Sequence, residues 1–252
     1  MKNISFIFLF IFSININFSQ SKISDINQDI LNSIEKHSSN LISISDEIWN
    51  LAETAFNEHK SSKILADYAI KNGFTVEMGV ADMPTAFVAT YGKGSPVISV
   101  LGEFDALPGI SQEAKPTKSP LVEGGAGHGC GHNLFGAGSL GAAIAIKELI
   151  ESGKISGTVK FFGTPSEEKY FGKIWMVKEG LWDDVDVNLS WHPAAQTEAD
   201  VQSSLALIDF KIEFSVIEID SSKNVEVVPF KGDDDTSSLL RPASMRVNSS
   251  LS

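Results

Sequence analysis

The spacing of hydrophobic residues divides much of the chain into helical segments. Between Ser24 and Asn72, apolar residues recur three and four positions apart, which predicts helical structure. Ser45, followed by two acidic residues, predicts a helix cap, and Gly73 predicts a helix stop. A further helix is predicted at Leu134–Glu151, whose many small residues suit close packing against a sheet.

Runs of β-branched and aromatic residues, separated by glycine and proline, predict strands. These runs are Phe74–Glu77, Thr85–Tyr91, Val97–Leu101, Val159–Phe162, Val185–Leu189 and Leu205–Phe214. A short helix is predicted at Ile174–Glu179, and the serine-rich stretch Lys231–Ser252 has no periodicity. Strands that alternate with helices predict an α/β layer architecture.

The first twenty residues, Met1–Gln20, have the pattern of a secretory signal peptide. A basic residue, Lys2, precedes the apolar run Phe6–Phe12, and polar residues follow near Ser19. The apolar run is far shorter than the ~20 residues of a membrane-spanning helix. We therefore expect no membrane span and an exported protein, periplasmic or secreted; the alternative is a buried N-terminal helix or strand.

Composition narrows the class of protein further. The 252 residues are 42% hydrophobic and 21% charged, which is typical of a globular chain rather than a disordered one. The formal net charge of −12 argues against nucleic acid as a partner, because such a surface repels phosphate backbones. The single cysteine excludes an internal disulfide framework.

The long loop Gly102–Asn133 ends in a sequence with metal-binding character, Gly-His-Gly-Cys-Gly-His-Asn. Its residues Cys130 and His132 are separated by one glycine, so their side chains can converge where the loop enters a helix. A thiolate and an imidazole suit zinc or a similar transition metal. The alternative is a glycine-rich loop with an incidental histidine and a small buried cysteine.

Two further groups of polar residues follow predicted strands. Glu167 and Glu168 follow Val159–Phe162, and His192 follows Val185–Leu189. Taken separately, the glutamates could be a solvated acidic pair and the histidine could be structural. Together with the cysteine loop they predict a metal site, because ligands of open α/β sheets bind at the carboxyl ends of the strands.

Four motifs in order resemble the peptidase M20 metallohydrolases, specifically the amidohydrolase branch that contains aminobenzoyl-glutamate utilization protein B. The motifs are Leu101–Gln112, Gly125–Ala143, Gly163–Glu168 and Asp183–Pro193. The resemblance implies a mixed-sheet, zinc-peptidase-like catalytic domain with flanking helices. It also implies hydrolysis of N-acyl amino acids such as p-aminobenzoyl-glutamate, with two divalent ions, zinc or manganese, as cofactors.

Position by position, the resemblance also implies roles for individual residues. The implied metal ligands are Cys130, His132, Glu168 and His192, with Cys130 in the position that bridges two metals. Glu167 would be the general base that takes a proton from the metal-bound water. Asp105 would orient a ligand without binding the metal itself.

The chain also departs from the family pattern, and it is predicted to be a truncated member. The resemblance implies a last histidine ligand from a segment that follows the lid domain, but no histidine follows His192. Only Leu205–Phe214 resembles the lid domain, through which family members form homodimers. The predicted parts are a signal peptide (residues 1–20), the N-terminal part of the catalytic domain (21–204), the start of the lid or dimerisation domain (205–219) and a disordered or aberrant tail (220–252).

Loss of a ligand and of the lid is expected to weaken metal binding and activity. Three alternatives to an amidohydrolase therefore stay open. One is a metal-binding remnant without catalysis, and another is an M20 peptidase that acts on dipeptides. The last is a structural or adhesion role, which requires the predicted ligands to be dispersed in the fold.

Overall fold

The structure is a computed structural model that describes residues 2–197, with side chains from Asp25 onward. This range forms five α-helices and five strands. In chain order they are α1 (Lys2–Leu51), α2 (His59–Lys71), β1 (Thr75–Met78), β2 (Phe87–Lys93), β3 (Val97–Glu103), α3 (His132–Glu151), β4 (Gly157–Thr164), α4 (Glu167–Tyr170), α5 (Gly172–Lys178) and β5 (Val187–Leu189).

The five strands form one mixed sheet in the order β1-β2-β4-β3-β5. Strands β1, β2 and β4 pair antiparallel, whereas β3 pairs parallel with both β4 and β5. The predicted α/β fold, a mixed sheet with flanking helices, is confirmed. Each of these strands was predicted to within two residues of its observed ends. The predicted strand Leu205–Phe214 and the predicted tail lie outside the described residues.

The predicted cap at Ser45 is wrong, because α1 continues through this residue to Leu51. The Ser45 side chain is buried, and its hydroxyl oxygen accepts a hydrogen bond from the side-chain amide of Asn133 at 3.0 Å. A serine with such a tertiary partner does not need to cap its own helix. The helical region breaks after Leu51 instead, where Ala52 and Phe56 adopt positive φ angles of 44° and 59°.

Helix α3 packs against β3 at very short range, in agreement with its small residues. A Cβ atom on Gly136 would lie 2.8 Å from the carbonyl oxygen of Glu103, and one on Gly102 would lie 3.0 Å from the Cα atom of Gly136. Glycine at both positions therefore permits this contact between helix and sheet. This close packing places His132, the first residue of α3, near the end of β3 at Glu103.

Among the described residues, α3 is the one helix with the length and apolar composition that a membrane span requires. Its apolar window is 67% buried within the fold. Leu140 and Ile144 of this helix belong to the same buried cluster as Phe161 of β4. The apolar character of α3 is thus explained by its place in the core.

The parallel strands β4, β3 and β5 end at the same edge of the sheet. The segments that follow them contain Asp105, Glu167 and His192, and α3 begins beside this edge at His132. Side chains that lie far apart in the sequence therefore meet at the carboxyl ends of the strands.

Candidate metal centre

His132 lies at the centre of the polar cluster at this edge. It is the first residue of α3, follows Gly131 in a left-handed conformation (φ 80°), and its side chain is fully buried. Its Nδ1 atom lies 2.9 Å from Oδ1 of Asp105. Because an ionised carboxylate can only accept, Nδ1 is the donor, and Nε2 is directed into the cluster.

Asp105 connects the histidine to the segment after β4. Its second carboxylate oxygen accepts a hydrogen bond from the backbone N–H of Glu168 at 2.9 Å, and its side chain is fully buried. One carboxylate thus fixes both the ring of His132 and the start of α4. This is the arrangement by which a residue outside the coordination sphere orients metal ligands.

Glu167 and Glu168 both approach the second ring nitrogen of His132, Nε2. A carboxylate oxygen of each lies 3.9 Å from Nε2. The two side chains differ in exposure, with 36% of Glu167 and 15% of Glu168 accessible to solvent. Burial, together with the negative charge of Glu103, raises the pKa of Glu167.

Cys130 and His192 complete the cluster from its other side. The Cys130 Sγ atom lies 3.4 Å from Nε2 of His192, and donor atoms of these two residues and of His132 lie within 4.8 Å of one another. The neighbouring residue Trp191 holds this segment, because its indole N–H donates to the hydroxyl of Ser139 at 3.0 Å. Burial and the nearby Glu168 carboxylate raise the pKa of the Cys130 thiol to about 12.

One acidic residue of the cluster, Glu103, was missed by the sequence analysis. It is the last residue of β3, it is buried, and its Oε2 atom lies 2.8 Å from Nε2 of His132. The two atoms are close enough for an ion pair, but their geometry does not meet the criteria for a hydrogen bond. The other oxygen of Glu103 accepts from Lys173. Its position at the carboxyl end of β3, two residues before Asp105 in the same motif, was the available signal.

The excess of carboxylates determines the electrostatics of the cluster. Burial opposes charging of the imidazole, but Asp105 and Glu103 outweigh it and raise the pKa of His132 to about 10. Although burial acts in the opposite direction, His132 and Lys173 hold the pKa of Glu103 below its usual value. The carboxylates around His132 therefore favour a positive charge on its imidazole.

The donor set fits a divalent cation. Within the described part of the chain, His132 Nε2, Glu103 Oε2 and Glu168 Oε1 are buried polar atoms that make no hydrogen bond. Buried polar atoms are normally satisfied. The first two atoms lie 2.8 Å from each other, whereas Glu168 Oε1 lies 3.9 Å from Nε2 and needs a further partner. Thiolate, imidazole and carboxylate donors match zinc and similar transition metals.

All six residues predicted from the sequence meet in this cluster. They are Cys130, His132, Glu167, Glu168, His192 and Asp105. The structural or adhesion alternative required these side chains to be dispersed, and their proximity removes its basis.

Comparison with known proteins identifies the family to which this cluster belongs. Residues 100–244 match the model of peptidase family M20/M25/M40. The chain belongs to this family. The match begins at Val100 within β3, contains every residue of the cluster, and extends beyond Phe214, where the resemblance of the motifs ends. The resemblance to the M20 metallohydrolases is therefore confirmed.

Individual members of the M20 family are similar over part of their length. The chain is 44% identical to a subunit of the p-aminobenzoyl-glutamate hydrolase of Escherichia coli (strain K12), over 72% of this chain and 40% of the relative. It is 28% identical to Xaa-Arg dipeptidase of Mus musculus, over 66% of this chain and 38% of that protein. The chain thus spans about two fifths of the length of these curated relatives.

A solved M20 structure supports the fold. The Bacillus subtilis YXEP protein, a dinuclear metal-binding peptidase from the M20 family, superposes with a TM-score of 0.53 at 24% identity. The superposition covers 61% of this chain and 42% of that protein. The sheet and its flanking helices are therefore those of an M20 domain.

Proposed function

We propose that this protein is a metal-dependent hydrolase that cleaves the amide bond of N-acyl amino acids, with p-aminobenzoyl-glutamate as its substrate. The observation that carries the proposal is the convergence of carboxylates on the buried Nε2 atom of His132, which lies 2.8 Å from Glu103 and 3.9 Å from both Glu167 and Glu168. The 44% identity to part of a p-aminobenzoyl-glutamate hydrolase supports the choice of substrate.

The proposed cofactor is a pair of divalent ions, zinc or manganese. Two overlapping sets of donor atoms, each within 4.8 Å of one another, contain His132, whose one available nitrogen can bind only one of the two ions. One set adds Cys130 and His192, and the other adds Glu103 and Glu167. A bound cation supplies a Lewis acid that polarises the amide carbonyl and lowers the pKa of water.

The difference in exposure assigns the two glutamates to different roles. Glu168 has a buried oxygen without a hydrogen bond to any described residue, which suits a metal ligand. Glu167 is more exposed and its pKa is raised, which suits a group that accepts a proton from water and returns it to the leaving amine. For p-aminobenzoyl-glutamate, that amine is glutamate and the other product is p-aminobenzoate.

The test of this proposal combines metal loading with a substrate panel. The full chain is loaded with Mn²⁺ or Zn²⁺, and release of p-aminobenzoate is compared with hydrolysis of N-acetyl amino acids and dipeptides. Glu167→Gln is expected to lower the rate by about 10²–10⁴-fold while metal binding persists. Glu179→Gln, which changes an exposed glutamate at the end of α5, is the matched control.

Each other outcome of this test has a definite meaning. Metal binding without any turnover by the wild-type chain would support the non-catalytic remnant. Preferential cleavage of dipeptides would favour the peptidase alternative. The 28% identity to Xaa-Arg dipeptidase is the observation that supports this alternative. Full turnover by Glu167→Gln would remove Glu167 from the role of base.

We also propose that the protein is exported, on the pattern of Met1–Gln20. N-terminal sequencing of protein recovered from the periplasm or medium tests this, with cleavage near Ser19–Ser21 as the expected result. The family homodimer stays a prediction, and the oligomeric state of the purified chain tests it.

A further inference from the structure

Glu58 is a buried carboxyl group that takes no part in the proposed reaction. Its residue is completely buried where the chain enters α2. Its Oε1 atom accepts a hydrogen bond from the backbone N–H of Ser166 at 2.9 Å, and its Oε2 atom accepts the hydroxyl of Thr85 at 3.3 Å. Glu58 thus joins the entrance of α2 to the turn immediately before Glu167.

The position of Glu58 would ordinarily serve its own helix. It is the N-cap residue of α2, yet its side chain makes no capping hydrogen bond. Glu53 does this instead, since its carboxylate accepts the backbone N–H groups of Lys60 at 3.1 Å and Ser61 at 2.8 Å. The free N–H groups of the helix start are therefore satisfied without the side chain of Glu58.

The residue that Glu58 contacts has an unfavourable backbone conformation. Ser166 is buried and left-handed, with φ 56° and ψ 42°, a region that residues with a Cβ atom rarely adopt. Such a conformation persists only when the surroundings hold it, and such strain is concentrated at functional sites. Here it determines the direction in which α4, with Glu167 and Glu168, leaves β4.

We propose that Glu58 is a positioning residue, whose carboxyl group holds Ser166 in its left-handed conformation and thereby places Glu167 and Glu168 against His132. The consequence for metal binding rests on the proposed function, whereas the restraint on the turn does not. The hydrogen bond joins residues 108 positions apart and ties the first helices to the metal centre.

The ionisation of Glu58 agrees with this role. Burial and the negative charge of Asp105 raise its pKa to about 7. A neutral carboxyl group keeps a carbonyl oxygen, so it still accepts the N–H of Ser166. The hydrogen bond to Ser166 therefore depends on the length of the Glu58 side chain and not on its charge. A glutamine side chain has the same length and also carries an acceptor oxygen.

Two substitutions in the full chain separate the effect of side-chain length from the effect of the carboxyl group. Glu58→Gln keeps the length of the side chain but has no ionisable group, and Glu58→Asp keeps the carboxyl group but withdraws the acceptor from Ser166. Glu53→Asp is the matched control, because it shortens the carboxylate that caps α2 and leaves Ser166 untouched. None of these variants opens a cavity as large as an alanine substitution would.

Two measurements are made on each variant. The first is the affinity for Co²⁺, read by visible absorption, and the second is amide hydrogen exchange of the peptide that contains residues 164–170. Glu58→Asp is expected to weaken Co²⁺ binding by about 10–100-fold, the usual effect of losing a group that orients a ligand. It should also speed exchange in residues 164–170, whereas Glu58→Gln should stay close to wild type in both measurements.

The outcomes distinguish this proposal from the proposed function. Unchanged exchange in Glu58→Asp, equal damage in Glu58→Gln, or equal loss of Co²⁺ affinity in Glu53→Asp would each overturn the positioning role. Failure of the wild-type chain to bind Co²⁺ would contradict the proposed function instead. Exchange of residues 164–170 would still decide the role of Glu58.

Discussion

His132 donates its Nδ1 proton to Asp105 over 2.9 Å, and the side chains of both residues are fully buried. The second oxygen of the same carboxylate accepts the N–H of Glu168 at 2.9 Å. Asp105 therefore orients two proposed ligands that lie at the starts of different helices, α3 and α4, without lying in the coordination sphere itself.

Replacing Asp105 by asparagine should weaken divalent metal binding by about 10–100-fold. An amide has one acceptor oxygen, so its NH₂ group must face either His132 or the N–H of Glu168. Calorimetric titration with Mn²⁺ or Zn²⁺ measures the effect. Asp186→Asn is the matched control, because Asp186 also accepts a backbone N–H, that of Val97 at 2.7 Å, at the other end of β3. Equal affinities in both variants would contradict the orienting role.

Removal of the metal should lower the thermal stability of the chain. A ligand at 100 times its Kd stabilises the native state by about 2.7 kcal/mol. In a domain of this size each kcal/mol shifts Tm by about 2–4 °C. Scanning calorimetry with Zn²⁺ or with a chelator should show this difference, and His132→Gln should abolish most of it. An unchanged shift in that variant would place the stabilising ion elsewhere.

The pKa of Glu58 predicts that stability falls as the pH rises from about 4.5 to about 7 and levels off above that range. Below pH 4.5 the group is protonated in both states, and between 4.5 and about 7 only the folded state keeps the proton. Folding then takes up a proton, so stability decreases with pH until the folded state also ionises. The full effect is on the order of 3 kcal/mol at most.

This dependence is measured as the Tm of metal-free protein from pH 5 to 8. Glu58→Gln should gain stability relative to wild type across this range, because it has no proton to lose. Glu148→Gln is the control. Burial opposes ionisation of Glu148, but contacts with Lys36, Ser33 and His37 outweigh it and lower the pKa to about 2. The contribution of Glu148 to stability therefore changes only below about pH 4.5. A constant difference between Glu58→Gln and wild type would refute the raised pKa.

Alanine at Gly136 should destabilise the fold, although alanine favours helices by about 1 kcal/mol over glycine. Its Cβ atom would lie 2.8 Å from the backbone oxygen of Glu103, which cannot move without β3. Overpacking of this kind costs about 1–3 kcal/mol. In Gly141→Ala the new atom meets the end of the Leu41 side chain at 2.7 Å, which can rotate away. Chemical denaturation should therefore rank Gly136→Ala below Gly141→Ala, and the reverse order would contradict the close packing.

The sheet was predictable because each strand is a local run of β-branched or aromatic residues. Five of the six predicted site residues followed from motifs at the ends of strands, and Asp105 followed from the family resemblance. The helix cap at Ser45 was predicted wrongly because a serine before acidic residues has the local sequence pattern of a cap. Its hydrogen-bond partner Asn133 is distant in the sequence and does not affect that local pattern. The contact of Glu58 with Ser166 spans 108 positions, so no local periodicity could record it.

Cys130 and His192 lie 62 residues apart in the sequence, and their side chains are in contact. A cation bound by both would act as a cross-link around the intervening chain, comparable to a disulfide in the entropy it removes from the unfolded state. The enclosed loop contains α5, whose Ile174 and Val177 are 64% and 61% exposed. Metal supply would then govern how readily proteases attack this segment, and so the lifetime of the protein as well as its chemistry.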